Sequence, residues 1–113
     1  MKKINVLGTE YSIYELAENE DPLLKNCDGY CDKTTKKIVL LQFDKNNCEI
    51  EDIEWYRKKV MRHEIVHAFL FESGLAENVN HWKSPGGHDE QMVDWFAIQF
   101  PKLQKVYEEL GVL

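Results

Sequence analysis

Hydrophobic positions alternate with polar ones in the first half of the chain and fall at helical spacing in the second. Ile4 and Val6, then Tyr11 and Ile13, alternate about Gly8-Thr9, which predicts two strands joined as a β-hairpin. Residues 17–28, AENEDPLLKNCD, are polar and contain a proline, so they read as a connection with one helical turn. A second hairpin is predicted from GYCD and KKIVLL around Thr34-Thr35. Its Ile38-Val39-Leu40-Leu41 run is the strongest strand pattern in the chain. From about residue 49 the period lengthens. Ile50, Ile53, Tyr56, Val60, His67 and Phe71 follow three-to-four spacing, predicting a long helix from about Glu49 or Asp52 to Ser73. Acidic residues fill its first turns and Gly74-Leu75 supplies a C-terminal stop.

After this helix comes LAENVNHWKSPGGHD, a long loop for so small a chain and, by its length, a candidate for function. A second helix is expected from Asp89 as N-cap through EQMVDWFAIQF. Pro101 is expected to kink or break it, with a final helix through KLQKVYEEL ending at Gly111. No repeat, low-complexity tract or linker interrupts the pattern. The expected architecture is one α+β domain over residues 1–113, a small antiparallel sheet of N-terminal hairpins packed on the helices.

Composition narrows the partners. Of the 113 residues 43% are hydrophobic and 30% charged, as in ordinary globular domains. A formal charge of −6 argues against nucleic acid as the main partner. The densest basic run, Arg57-Lys58-Lys59 with Arg62, follows several acidic residues and reads as a polar helix face. No apolar run is long enough for a signal peptide or a membrane span, so a cytoplasmic location is expected. Cys27, Cys31 and Cys48 are an odd number, which suits reduced thiols. Cys27 and Cys31 lack the two further ligands that a structural zinc site takes.

Candidate chemistry centres on MRHEIVHAFL, residues 61–70. Nearly every flanking residue there is apolar, so the helix is expected to be covered almost all round. Imidazoles and a carboxylate are costly to bury unless something binds them. His63 and His67 are one helical turn apart and share a face, with Glu64 beside it. His63-Glu64-Ile65-Val66-His67 is the H-E-x-x-H pattern. Two imidazoles so spaced can reach one tetrahedral zinc ion, and the glutamate can take a proton from water there. A catalytic zinc takes a third protein ligand; Glu72, Glu77, His81, His88, Asp89, Glu90 and Asp94 are candidates. Glu90 is preferred because it opens the second helix. Asp94, one turn further on the same face, is placed to hold an imidazole N–H. His81 and His88 flank the long loop and are candidates for the substrate or the oxyanion. Trp82 and Trp95 read as anchors of the loop and helix.

The order of these motifs is similar to that of gluzincin-type metallopeptidases, which place E-x-x-x-D on the helix after H-E-x-x-H. More narrowly, Glu90-Gln91-Met92-Val93-Asp94-Trp95-Phe96-Ala97 resembles the E-x-x-A-[ND]-x-F-A signature of ImmA/IrrE-like zinc metallopeptidases, common in bacteria, their mobile elements and phages. Val93 stands where that signature has alanine, and no DNA-binding module accompanies the motifs. The resemblance spans residues 63–97, and the order of hairpins, motif helix and ligand helix resembles a minimal zincin-like domain over the whole chain. It implies zinc on His63, His67 and Glu90, Glu64 as general base, and Asp94 orienting a ligand histidine. In zincins a sheet edge beside the motif helix often pairs with extended substrate; Ile38–Leu41 is the natural candidate for that edge, with an ordinary core strand as the equal alternative.

The leading expectation is therefore a zinc endopeptidase acting on a protein or peptide, plausibly a regulatory one. Two other classes compete: a catalytically silent zinc-binding interaction module with the same fold, and a metal-independent interaction domain. Glu64 argues against the silent module, because a purely structural metal site needs no general base.

Overall fold

In the computed structural model, residues 1–75 and 90–113 are described, apart from the side chains of Glu90, Gln91, Val93, Asp94 and Ala97. Strands β1 (Lys2–Val6) and β2 (Thr9–Leu16) pair antiparallel, with Val6 opposite Thr9. Their turn is Leu7-Gly8, one residue earlier than the alternation suggests, with φ of 51° and 95°. Two positive φ values give the turn a twist that matches the strands. Asn5 Oδ1 accepts the Gly8 N–H at 2.7 Å and closes it. Strands β3 (Gly29–Asp32) and β4 (Lys37–Leu41) form the second hairpin. Here the Asp32 carboxylate accepts from the Thr34 hydroxyl and the Thr34 and Thr35 N–H groups. Those bonds hold its pKa down at about 2.

The four strands are ordered β1-β2-β4-β3, and β2 runs parallel to β4 with Ile13 opposite Ile38. The sheet is thus mixed rather than antiparallel, and Ile38–Leu41 is an interior strand, the core-strand alternative rather than the substrate-pairing edge. The reason lies in β4 itself. Ile38 and Leu40 join the main core while Val39 and Leu41 pack with Leu24 in a second cluster. A strand buried on both faces belongs inside a sheet. The connection that lets β4 lie beside β2 includes the expected single turn, a short 3-10 helix at Pro22–Lys25 capped by Asp21. β3 is left on the edge.

Helix α1 (Ile53–Ser73) begins where the Asp52 side chain accepts the Trp55 N–H at 3.0 Å. It ends at Gly74, whose φ of 81° is the left-handed stop. Near that end Glu72 holds both hairpins. Its carboxylate accepts from Tyr11 Oη at 2.9 Å, Lys36 Nζ at 2.6 Å and Thr9 Oγ1 at 3.3 Å. Helix α2 (Glu90–Leu110) is continuous, so Pro101 does not break it. One lost N–H is outweighed because Leu103 and Val106, just beyond the proline, are buried in the core. Trp95 Nε1 donates to Ser73 Oγ at 3.0 Å, and Tyr107 Oη donates to the Arg62 carbonyl at 3.4 Å. The two helices therefore run antiparallel, and the start of α2 lies at the C-terminal end of α1.

The main core lies between the sheet and α1, around Tyr11, Ile38, Leu40, Ile65 and Phe69. Gly29 of β3 lies against both β4 and α1. A Cβ there would lie 2.9 Å from the Val39 carbonyl oxygen, 3.4 Å from Val60 Cγ1 and 3.6 Å from Glu64 Cγ. The first contact is to backbone, which yields little. Gly29→Ala is accordingly expected to destabilise the fold by roughly 1–3 kcal/mol, measured by urea unfolding. An unchanged midpoint would mean that the approach is slack.

Candidate metal and catalytic centre

One face of α1 carries the site. Met61, Ile65, Ala68 and Phe69 are buried, while the His63 side chain is 61% exposed. The helix is thus covered on one side only, not almost all round as its apolar flanks suggest. The open strip is the one bearing the two histidines. His63 Nε2 and His67 Nε2 lie 3.1 Å apart, with ring centroids at 4.8 Å. Two nitrogens about 2.05 Å from one tetrahedral ion would be separated by roughly 3.4 Å. The imidazoles therefore converge on a point that a metal ion fits. The ligand atoms of His63, Glu64 and His67 all lie within 4.8 Å of one another, and this group can hold a metal ion.

Glu64 is different in kind. It is 6% exposed, the one buried charged residue among the described residues. Its Oε2 has no hydrogen-bond partner, and Oε1 lies 3.9 Å from His63 Nε2. Burial raises its pKa to about 7. A buried carboxylate oxygen left without a partner is costly. In this position it is best explained by something that binds in the cleft. Burial, and then the neighbouring His63, lower the pKa of His67. That favours the neutral imidazole needed by a metal ligand.

The second wall is β3. Gly29, Val60, Glu64 and His63 line one cleft together with Tyr56 and Asp28, and the Tyr56 hydroxyl donates to Asp28 Oδ2. Cys31 packs against the core, and burial pushes its thiol up to about 12. All three cysteines are free. On the C-terminal side the Phe71 ring stacks on His67 at 6.2 Å.

Of the expected site residues, His63, Glu64 and His67 come together. Glu72, weighed as a ligand, spends its carboxylate on Tyr11, Lys36 and Thr9 instead. Glu77, His81, Trp82, His88 and Asp89 lie outside the described residues, as do the side chains of Glu90 and Asp94 in the first turns of α2. Sequence reasoning missed Gly29 and Phe71, and weighed Cys31 only as a metal pair with Cys27. Phe71 carried a signal, since it follows His67 by one turn; a glycine inside a strand pattern can likewise mark close approach. No helix among the described residues is long and apolar enough to cross a membrane. No family model, curated protein or solved structure matches the chain.

The raised pKa of Glu64 has a stability consequence in metal-free protein. A carboxyl whose folded pKa lies above its ordinary 4.5 contributes most below pH 4.5. That contribution fades as pH rises towards 7. His67 acts in the opposite sense, its lowered pKa favouring the fold at higher pH, while His63 and Cys31 complete the titratable surroundings. The comparison of wild type with Glu64→Gln isolates the glutamate. In chelator-treated protein the Gln variant should gain stability relative to wild type between pH 4.5 and 7, by about 3 kcal/mol at most. Parallel stability curves across that window would show that Glu64 titrates normally.

Proposed function

We propose that this chain is a zinc-dependent peptidase of the zincin type, similar to the ImmA/IrrE-like enzymes. The observation that carries the reading is Glu64. Its carboxylate is buried and unpartnered, has a pKa near neutrality, and lies beside two imidazoles that converge on one point. A structural metal site has no use for such a group, whereas a general base near pH 7 is suited to hydrolysis.

In this reading His63 and His67 hold the ion, with Glu90 of α2 as the third ligand and Asp94 hydrogen-bonded to one of the histidine rings. His81 and His88 are the candidates to stabilise the oxyanion. Zinc bound there supplies Lewis acidity towards a carbonyl oxygen and towards water. Glu64 takes the proton of the attacking water and delivers it to the leaving amine. Its burial excludes competing solvent, and its place on a packed helix fixes the direction of transfer. The extended substrate lies on the free edge of β3, the strand that forms the cleft wall, since β4 is enclosed between β2 and β3. Edge pairing supplies main-chain hydrogen bonds without reading side chains.

Protein purified without added metal should contain about one zinc ion per chain by elemental analysis. Alanine at both His63 and His67 should abolish it. Glu64→Gln should retain zinc but lose peptidase activity by two or more orders of magnitude, because an amide cannot accept the proton. Full zinc occupancy in the double alanine variant would dismiss the site, and wild-type turnover by the Gln variant would dismiss Glu64 as base.

A further inference from the structure

The cleft on the outer side of β3 differs in chemistry at its two ends. Gly29 lies against Val60 and Glu64, whereas Lys33, just past the other end of the strand, places its Nζ 5.6 Å from the Phe71 ring centroid. β3 therefore runs in the same sense as α1, and a chain lying along its edge passes the histidines midway. Beyond His67 the edge opens into a space of about 620 Å³ whose apolar walls are Leu23, Cys27, Tyr30, Cys31 and Phe71. Leu23 is 61% exposed there. Phe71, one wall of this space, stacks on His67 of the candidate centre.

On the other side the cleft is smaller, about 230 Å³, and polar. Its wall residues are Asp28, Tyr56 and Lys59, beside His63 and Glu64. The Asp28 carboxylate accepts the Tyr56 hydroxyl. Lys59 stands one helical turn before His63, with Nζ 5.5 Å from the Tyr56 ring centroid, and takes part in no ion pair among the described residues. A cation on an acidic protein, beside a carboxylate already engaged, is complementary to an acidic group on the ligand.

We propose that the occupant of this cleft is an extended peptide with a large apolar side chain on the Phe71 side of the scissile bond and an acidic side chain on the Lys59 side. The proposal rests on the peptidase reading for the position of that bond. Strand pairing orients the peptide, and successive side chains point to opposite faces of β3. The apolar space, with walls from both faces, has room for a leucine, methionine or phenylalanine. Lys59 lies on the α1 face alone, so it reads one position in two.

The test is a synthetic peptide library of random sequence, incubated with the zinc-loaded protein and read by mass spectrometry at the cleavage sites. The expected profile has Leu, Met or Phe within two residues on one side of the cut and Asp or Glu within two on the other. Lys59→Glu should turn the acidic preference into one for Lys or Arg, with roughly five- to ten-fold loss on acidic peptides. Leu23→Lys should replace the apolar preference with an acidic one. Both substitutions are at exposed positions, and a new preference cannot arise from misfolding. Cleavage with neither preference, or with preferences that both variants retain, overturns the proposal and leaves the peptidase reading in place. If nothing is cleaved, the peptidase reading fails, and retention of the same library on immobilised protein decides. Enrichment of apolar–acidic peptides that Lys59→Glu removes supports the cleft's specificity; no enrichment overturns it.

Discussion

Strand β3 packs against α1 where Gly29 meets Val60 and Glu64. A side chain on Gly29 would meet Val60 and Glu64 at ordinary van der Waals distances, 3.4 and 3.6 Å, but would lie 2.9 Å from the Val39 carbonyl oxygen of β4. Glu64 lies at that contact and is buried. Its burial raises its pKa and leaves Oε2 without a hydrogen-bond partner. A wider gap would admit water, return the carboxylate to its ordinary acidity and separate the histidines from the strand.

Glu72 secures the arrangement from the far end of the helix. Tyr11 and Thr9 of the first hairpin and Lys36 of the second converge on its carboxylate. The C-terminal turns of α1, which carry His67 and Phe71, are tied to both halves of the sheet. Charge-assisted hydrogen bonds in a partly enclosed place are stronger than exposed ion pairs. Tyr11, fully buried beneath them, has its phenol pushed well above the ordinary range by burial and by this bond. The face of α1 that is open to solvent is thus backed by a buried tyrosine and a carboxylate bonded to both hairpins.

Much of this was legible before any coordinates. The long helix from about Glu49 or Asp52 to Ser73, its stop at Gly74, the hairpin strands and the His63-Glu64-His67 group follow from spacing and residue type alone. The mixed sheet did not, because parallel pairing joins residues far apart in sequence and leaves no local trace. The clue lay in Ile38–Leu41, where four apolar residues in a row meant burial on both faces and therefore an interior strand. Pro101 misled for the converse reason: a local rule about helix breaking was overridden by the burial of Leu103 and Val106 beyond it. Gly29 and Cys31 acquire meaning only once β3 is known to lie against α1.

The two borders of the sheet are unequally guarded. β1 carries Lys2 and Lys3 in exposed positions, and charged side chains of this kind discourage unwanted pairing along a border. β3 has no lysine within its four residues, and every one of them is partly buried. A border left receptive to a visiting strand is receptive to any strand, including that of another copy. Its brevity, roughly 13 Å of ladder, limits how firmly two molecules could join there. Any strand that paired there, a ligand's or another copy's, would meet the same two limits, a short ladder and the Asp32 carboxylate at its end.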